Sequence, residues 1–361
     1  MTSLEHLMAV SEIKFSQVSE QSAYLEEWMN RVSRSFAVVV SFLEEPLKSY
    51  TSIAYLICRV VDNIEDCSQT FHWKEGRFNE FLALLEKPNQ AAQVLSIWTS
   101  KDWPGLTADE MRIMTSDEGF RLWQLYAQLP DETRQIIRSW TLEMAQGMLL
   151  IEDRGENQWM VDRGPVRVIR NEYDYDRYCY YVAGTVGHLV TRLAISHYQI
   201  TGTKSRALLD NCEACGRGLQ KTNIVKDFAK DLERGVCYLP DEWLHEVGYA
   251  PLFLKGASLS WKSKVLENIL SELRAATDYM MALPLDAVGY RMASLLCLFP
   301  AYQTILQAAQ LQDKLFTIDH HVKISRQTLS ECIQDAQRMH ADNDGIYQYS
   351  TQIEQAVLAH L

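Results

Sequence analysis

Residues Gly218–Asp231 read GLQKTNIVKDFAKD, and the reading of the whole chain turns on how this stretch coils. As a helix it places Gln220, Asn223, Asp227 and Asp231 three or four residues apart, on one stripe. Leu219, Ile224, Val225 and Phe228 lie between them, so the stripe borders apolar surface rather than a wholly solvated face. An earlier stretch answers it: VDNIEDC carries Asp62, Glu65 and Asp66 at i, i+3 and i+4. Two acidic rows far apart in sequence are expected to face each other across a cavity. Crowded carboxylates repel, and Mg²⁺ relieves that repulsion, because hard cations take carboxylate, water and phosphate oxygens.

The rest of the composition allows such a cavity. At 361 residues the chain can bury a sizeable core, and 47% hydrophobic residues with only 16 Gly and 9 Pro favour long helices. A formal charge of −12 excludes a broad nucleic-acid surface, which needs clustered Lys and Arg. The opening MTSLEHLMAVSEIK carries acids and lacks the apolar run of a signal peptide. Eight scattered cysteines then read as reduced thiols in a cytoplasmic protein. Cys212 and Cys215 form a lone CxxC without partners, which reads as helix packing rather than zinc. The longest apolar run, Met292–Leu311, holds Gln303, Gln307, Gln310 and Pro300, and is expected to be a buried helix.

Period-2 runs are scarce, and helical periodicity dominates from Tyr24 onward with short breaks at Pro and Gly. The expectation is an all-α, single-domain bundle. We divide it into an N-terminal segment 1–30, a catalytic domain 31–345 and a helical tail 346–361 without a membrane anchor. The gly- and charge-rich region Asp153–Val168 is expected to be a surface loop or flap, and the break at Pro240–Gly256 another irregular connection.

Three further segments hold residue types suited to chemistry. Ser33-Arg34-Ser35-Phe36 reads as a helix cap with a solvated Arg, or as three donors for a phosphate group. In YLICRVVDNIED, Tyr55, Arg59, Asp62 and Asp66 share one stripe, either as an exposed charged face or as the wall of a site. In EYDYDRYCYYVAGTVGHLVTRL, Tyr178 and Tyr181 stand beside Ala183, Gly184 and Gly187. Such small residues mean close helix packing, or room for a long ligand beside a phenol that can move a proton. His188 reads as a satisfied core histidine.

Together SRSF, YLxxRxxDNIED, YCxYVAGxVG and GLQKTNIxKDxxxD, in that order, resemble the squalene/phytoene synthase family of head-to-head prenyl transferases. The resemblance runs from about Ser33 to Pro240, and less distinctly through Leu311. It implies an isoprenoid-synthase helical bundle around a deep central cavity, with two farnesyl diphosphates as substrates. Asp62, Glu65, Asp66, Asp227 and Asp231 would hold Mg²⁺, and Tyr181 would act as acid/base in the first half-reaction. Arg34, Ser33, Ser35, Tyr55, Arg59, Tyr178, Gln220, Asn223 and Lys226 would lie on the substrate. Relatives often have Arg before the first Asp of the second acidic motif and an acid before its last. Here those are Lys226 and Lys230, a departure that bears on metal number and phosphate grip.

The resemblance further implies presqualene diphosphate as intermediate and reduction by NADPH to squalene. Gly216-Arg217-Gly218 lacks the rest of a dinucleotide fingerprint, so no residue is assigned to NADPH. YCYYVAG and the long C-terminal helical region favour the squalene-making branch. GVCYLP at Gly235–Pro240 also fits the alternatives: phytoene, dehydrosqualene, or presqualene diphosphate and hydroxysqualene without reduction. Peripheral membrane contact for product release is expected. A non-catalytic binding protein on this fold would have lost the acids, and both rows persist.

Overall fold

A computed structural model describes residues 20–152, 158–247, 254 and 257–361. Residues 1–19 of the N-terminal segment, 153–157 of the expected flap and most of the stretch 248–256 lie outside the described residues.

A helix over residues 20–32 (α1) leads into α2 (Arg34–Ser41), α3 (Leu47–Asp66), α4 (Phe71–Glu86), α5 (Ala91–Thr99), α6 (Ala108–Thr115) and α7 (Asp117–Ala127). There follow α8 (Asp131–Glu152), the strands β1 (Met160–Arg163) and β2 (Val166–Ile169), and α9 (Glu172–Cys179). A π-helical turn (Tyr180–Gly184) joins α9 to α10 (Thr185–His197). Next come α11 (Gly202–Glu233), β3 (Val236–Cys237) and α12 (Asp241–His245). The chain ends in α13 (Leu259–Ala282), α14 (Val288–Leu311), α15 (Arg326–Met339) and α16 (Asn343–Leu358). This is the all-α fold expected, with one small sheet.

α3 shows why the chain coils as it does. Ile53, Leu56, Ile57, Val60, Val61 and Ile64 recur at helical spacing and are completely buried. α14 is largely apolar and runs inside, against α13, α15 and α16. It is one helix long and apolar enough to cross a membrane, but 67% of its apolar window is buried within the fold.

α11 packs along α13, α10 and α14, and two features fix it. A Cβ on Gly216 would meet the Ala183 carbonyl oxygen at 2.0 Å, and one on Gly187 would meet the Cys212 carbonyl oxygen at 2.1 Å. Backbones this close admit only glycine. The small-residue patch is thus filled by α11 itself, which corrects the reading of it as room for a ligand. The second feature is charged. Lys221, 1% exposed, lies 2.9 Å from Glu272 on α13 and 2.7 Å from Asp176 on α9, and donates to Asn268 Oδ1 at 2.8 Å.

The region read as a loop around Asp153–Val168 is, from Met160 on, an antiparallel hairpin pairing Met160 with Ile169 and Arg163 with Val166. Val166, Val168 and Ile169 are buried, so this part is not an exposed flap. β2 pairs in parallel with β3, Arg167 opposite Val236. Gly235, at φ +76, makes the turn from α11 into β3 in a conformation that disfavours side chains.

Removing the ammonium at Lys221 takes a partner from buried Glu272 and from half-buried Asp176. Lys221→Ala should lower unfolding free energy by about 3–5 kcal/mol. Urea denaturation checks this, and an unchanged midpoint would show the network to be dispensable.

Candidate active site

The two acidic rows sit at the C-terminal ends of α3 and α11. They are joined by a residue the sequence reading missed. Arg234, the C-cap of α11, donates from Nη2 to Asp66 Oδ1 at 2.7 Å. It stands three residues past Asp231, within one helical turn, and that spacing was the available signal. Asp66 acts electrostatically on Asp231 as well, so the rows share one field.

That field is strained. Burial pushes the Asp62 carboxyl up to about 7, with Asp66 and Glu110 adding to the shift and Arg59 opposing it. Glu65 rises to about 8 through burial, then Asp66, Glu152 and Asp62, against the pull of Lys74. Asp231 rises to about 6 through burial and Asp227. Yet the Asp62 side chain is 29% exposed. A carboxyl that water reaches and that is still heavily desolvated lies in a recess rather than on a convex face.

Asp227 behaves differently. Burial works to raise it, but hydrogen bonds and charge from Lys230 and Lys226 outweigh that and hold it below the usual range. Among the described residues, no three His, Cys, Asp or Glu side chains lie close enough to hold an ion by themselves.

Two aromatic rings lie in the field of these carboxylates. Tyr178 stacks on Tyr238 at 4.6 Å, with 16° between planes. Both phenols feel the charge of Glu65, and Tyr238 that of Asp231 too. Tyr238 lies in GVCYLP, just past β3, and only the sheet reveals its place. Arg59 bonds to Glu110 and stands 3.7 Å from Asp62, so it braces the α3 row. Buried Lys74 bonds to the Glu65 carbonyl and lies 3.2 Å from Glu152.

The SRSF segment reaches the same wall. Ser33 caps α2 by accepting from the Phe36 amide, and Phe36 stacks on Tyr55 at 4.9 Å. Tyr55 also feels Arg59 and Asp62. Arg34 and Ser35 are exposed in the first turn of α2. Gln220 is half-buried, and exposed Asn223 accepts from Lys226 at 2.8 Å.

Tyr181 lies at the π-helical turn, its ring against Gly147 of α8, where a Cβ would come within 2.0 Å. Its hydroxyl accepts from Arg177 Nη2 at 3.2 Å, and Arg177 in turn lies 4.2 Å over Trp159. His188 stacks on Trp140 and contacts Cys212 and Glu213, as a satisfied core residue does. A cavity of about 190 Å³ among Leu25, Met29, Ala37, Val40 and Ser52 includes none of the predicted site residues. It is also smaller than ordinary ligand pockets.

Comparison with known proteins gives the same picture. A squalene/phytoene synthase family model matches residues 29–328. The squalene synthase of Candida albicans is 26% identical over 327 residues, 87% of this chain and 67% of that one. That of Saccharomyces cerevisiae is 31% identical over 230 residues, 62% of this chain and 46% of that one, so the match spans less than half of it. The human squalene synthase is 24% identical over 336 residues, 91% and 72% of the two chains. A solved complex of TcSQS with a ligand superposes with a TM-score of 0.71 at 21% identity, covering 95% of this chain and 100% of that one. A ligand-bound dehydrosqualene synthase gives 0.57 at 18% identity, over 90% and 98%. At such identities these two structures speak for the fold alone.

The raised carboxyl groups set a pH dependence. A folded-state value above the ordinary one near 4 contributes stability that is complete below that value and lost as pH rises through the folded value. Without divalent ions, Asp62→Asn should therefore gain on the wild type as pH rises from about 4 to about 7. The gain should reach about 1–3 kcal/mol, allowing for water at the group. Denaturation in EDTA across this range is the check. A gap independent of pH would contradict the assignment.

Proposed function

Because the chain belongs to the squalene/phytoene synthase family of prenyl transferases, we propose that it joins two farnesyl diphosphates head to head, using Mg²⁺, and reduces the product to squalene with NADPH. The observation that carries this reading is the meeting of two carboxylate rows, from α3 and α11, at the Arg234–Asp66 bridge.

The donor set suits Mg²⁺. Asp62, Glu65, Asp66 and Asp231 offer only hard oxygens, and three of them resist ionisation through burial and the charge of neighbouring carboxylates. Their spread is also apt, since Mg²⁺ prefers one or two carboxylates with water and substrate phosphate to an all-protein cage. Bound there, Mg²⁺ would supply positive charge to the diphosphate as the allylic C–O bond breaks.

The chain's own groups would do the rest. Arg34, Ser33 and Ser35 would hold phosphate at the start of α2, with Tyr55 and Arg59 behind them. Gln220, Asn223 and Lys226 would line the α11 side. Apolar walls would keep water from capturing the carbocation, and the stacked Tyr178 and Tyr238 would offer it π-electrons. Arg177 donates to the Tyr181 oxygen and so positions it. Tyr181 would then be suited to accept the proton lost when the cyclopropane of presqualene diphosphate closes.

NADPH would supply the hydride. Gly216 and Gly218 lie inside α11, where Gly216 serves helix contact, and the one small sheet offers no dinucleotide turn among the described residues. Reduction is supported by likeness to squalene synthases, and we assign no residue to it. A cytoplasmic enzyme with peripheral membrane contact completes the proposal.

Product analysis after incubation with farnesyl diphosphate and Mg²⁺ should show squalene only when NADPH is present. Dehydrosqualene or hydroxysqualene in both tubes would replace the reductive step by one of the alternatives. Asp62→Ala should slow substrate consumption by about a hundredfold or more. Tyr181→Phe should cut presqualene diphosphate formation by about 10²–10⁴. Near-normal turnover in both variants would remove these residues from the mechanism.

A further inference from the structure

The two acidic rows differ in what already occupies them. On α11, Lys230 Nζ donates to Asp227 Oδ1 at 2.8 Å, and Lys226 Nζ stands 3.1 Å from Asp227 Oδ2. Both oxygens of this carboxylate therefore face an ammonium group. Counting Asp227 and Asp231 against Lys226 and Lys230, the row carries no net formal charge.

On α3 the balance is negative. Asp62, Glu65 and Asp66 stand together, while Arg59 lies closer to Glu110 than to Asp62, and Arg234 meets Asp66 alone. Cation affinity rises with the charge of the ligand set, so divalent ions belong on the α3 side. The lysine pairs on α11 are exposed and weak individually. What matters is the charge they bring, not their strength.

An ammonium is also a compact, three-donor phosphate binder. The Lys230 side chain is 66% exposed and Lys226 40%, so both can swing from Asp227 to a ligand in the recess. We propose that Lys230, together with Lys226, is a built-in counter-ion for the substrate diphosphate on the α11 side, standing in for a divalent cation. The inference rests on the proposed function and refines how that site holds its substrate.

The test counts ions rather than turnover. Free Mn²⁺ is followed by electron paramagnetic resonance as it titrates the wild type and Lys230→Glu, each saturated with farnesyl thiodiphosphate. The variant should bind one more Mn²⁺ per chain than the wild type. Equal numbers would overturn the inference and leave the proposed function standing. If neither protein bound Mn²⁺, the proposed function would fall and take the inference with it.

A second arm probes phosphate grip without metal. In EDTA the wild type should bind inorganic pyrophosphate, Lys230→Glu about tenfold or more weakly, and Lys230→Arg nearly as well as wild type. Equal binding by wild type and Lys230→Glu would also overturn it. A thermal scan by circular dichroism confirms that the variants are folded.

Discussion

A buried ammonium group governs the rest of this structure. At 1% exposure the Lys221 ammonium has lost its water, and Glu272, Asp176 and Asn268 around it take that water's place. Those partners come from α13 and α9, so the network sets the rotation of α11 about its own axis. Glycine-only contacts at Gly216 and Gly187 set its distance from α10 and the π-helical turn. With rotation and distance both determined, Ile224, Val225 and Phe228 face inward, and Asp231 comes into the field of Asp66 on α3.

The arrangement places stability and chemistry in opposition. Asp62, Glu65 and Asp231 are held where ionisation is disfavoured, which a protein selected for stability alone would avoid. The fold tolerates them because Arg59, Lys74 and Arg234 relieve part of the repulsion. What is left unrelieved is a demand for positive charge, and a diphosphate brought with cations answers it. The same logic explains the asymmetry between rows, since Asp227 already has its lysines.

Much of this was legible in the sequence, for physical reasons that differ by element. The carboxylate rows were visible because helical spacing is local: four residues along α3 or α11 fix a side chain's face before any tertiary contact forms. The inside position of α14 followed from an apolar run interrupted by Gln303, Gln307, Gln310 and Pro300. The hairpin was hidden because its strands are four residues long and stabilised by β3, far along the chain. Tyr238 and Arg234 escaped for a related reason. Their roles depend on which elements meet, and only Gly235 and the parallel β2–β3 pairing bring Tyr238 onto Tyr178. Glycines near Tyr181 were ambiguous, since a tight helix crossing and a ligand channel call for the same residues.

The central claim is that the α3 row holds divalent ions that carry a diphosphate against the α11 row. The most direct measurement is a crystal structure with Mn²⁺ and farnesyl thiodiphosphate, its ions located by anomalous scattering. Anomalous peaks should lie about 2.0–2.3 Å from oxygens of the α3 row, with diphosphate oxygens between them and α11. Diphosphate bound elsewhere, or both rows without ions at saturating Mn²⁺, would contradict the account.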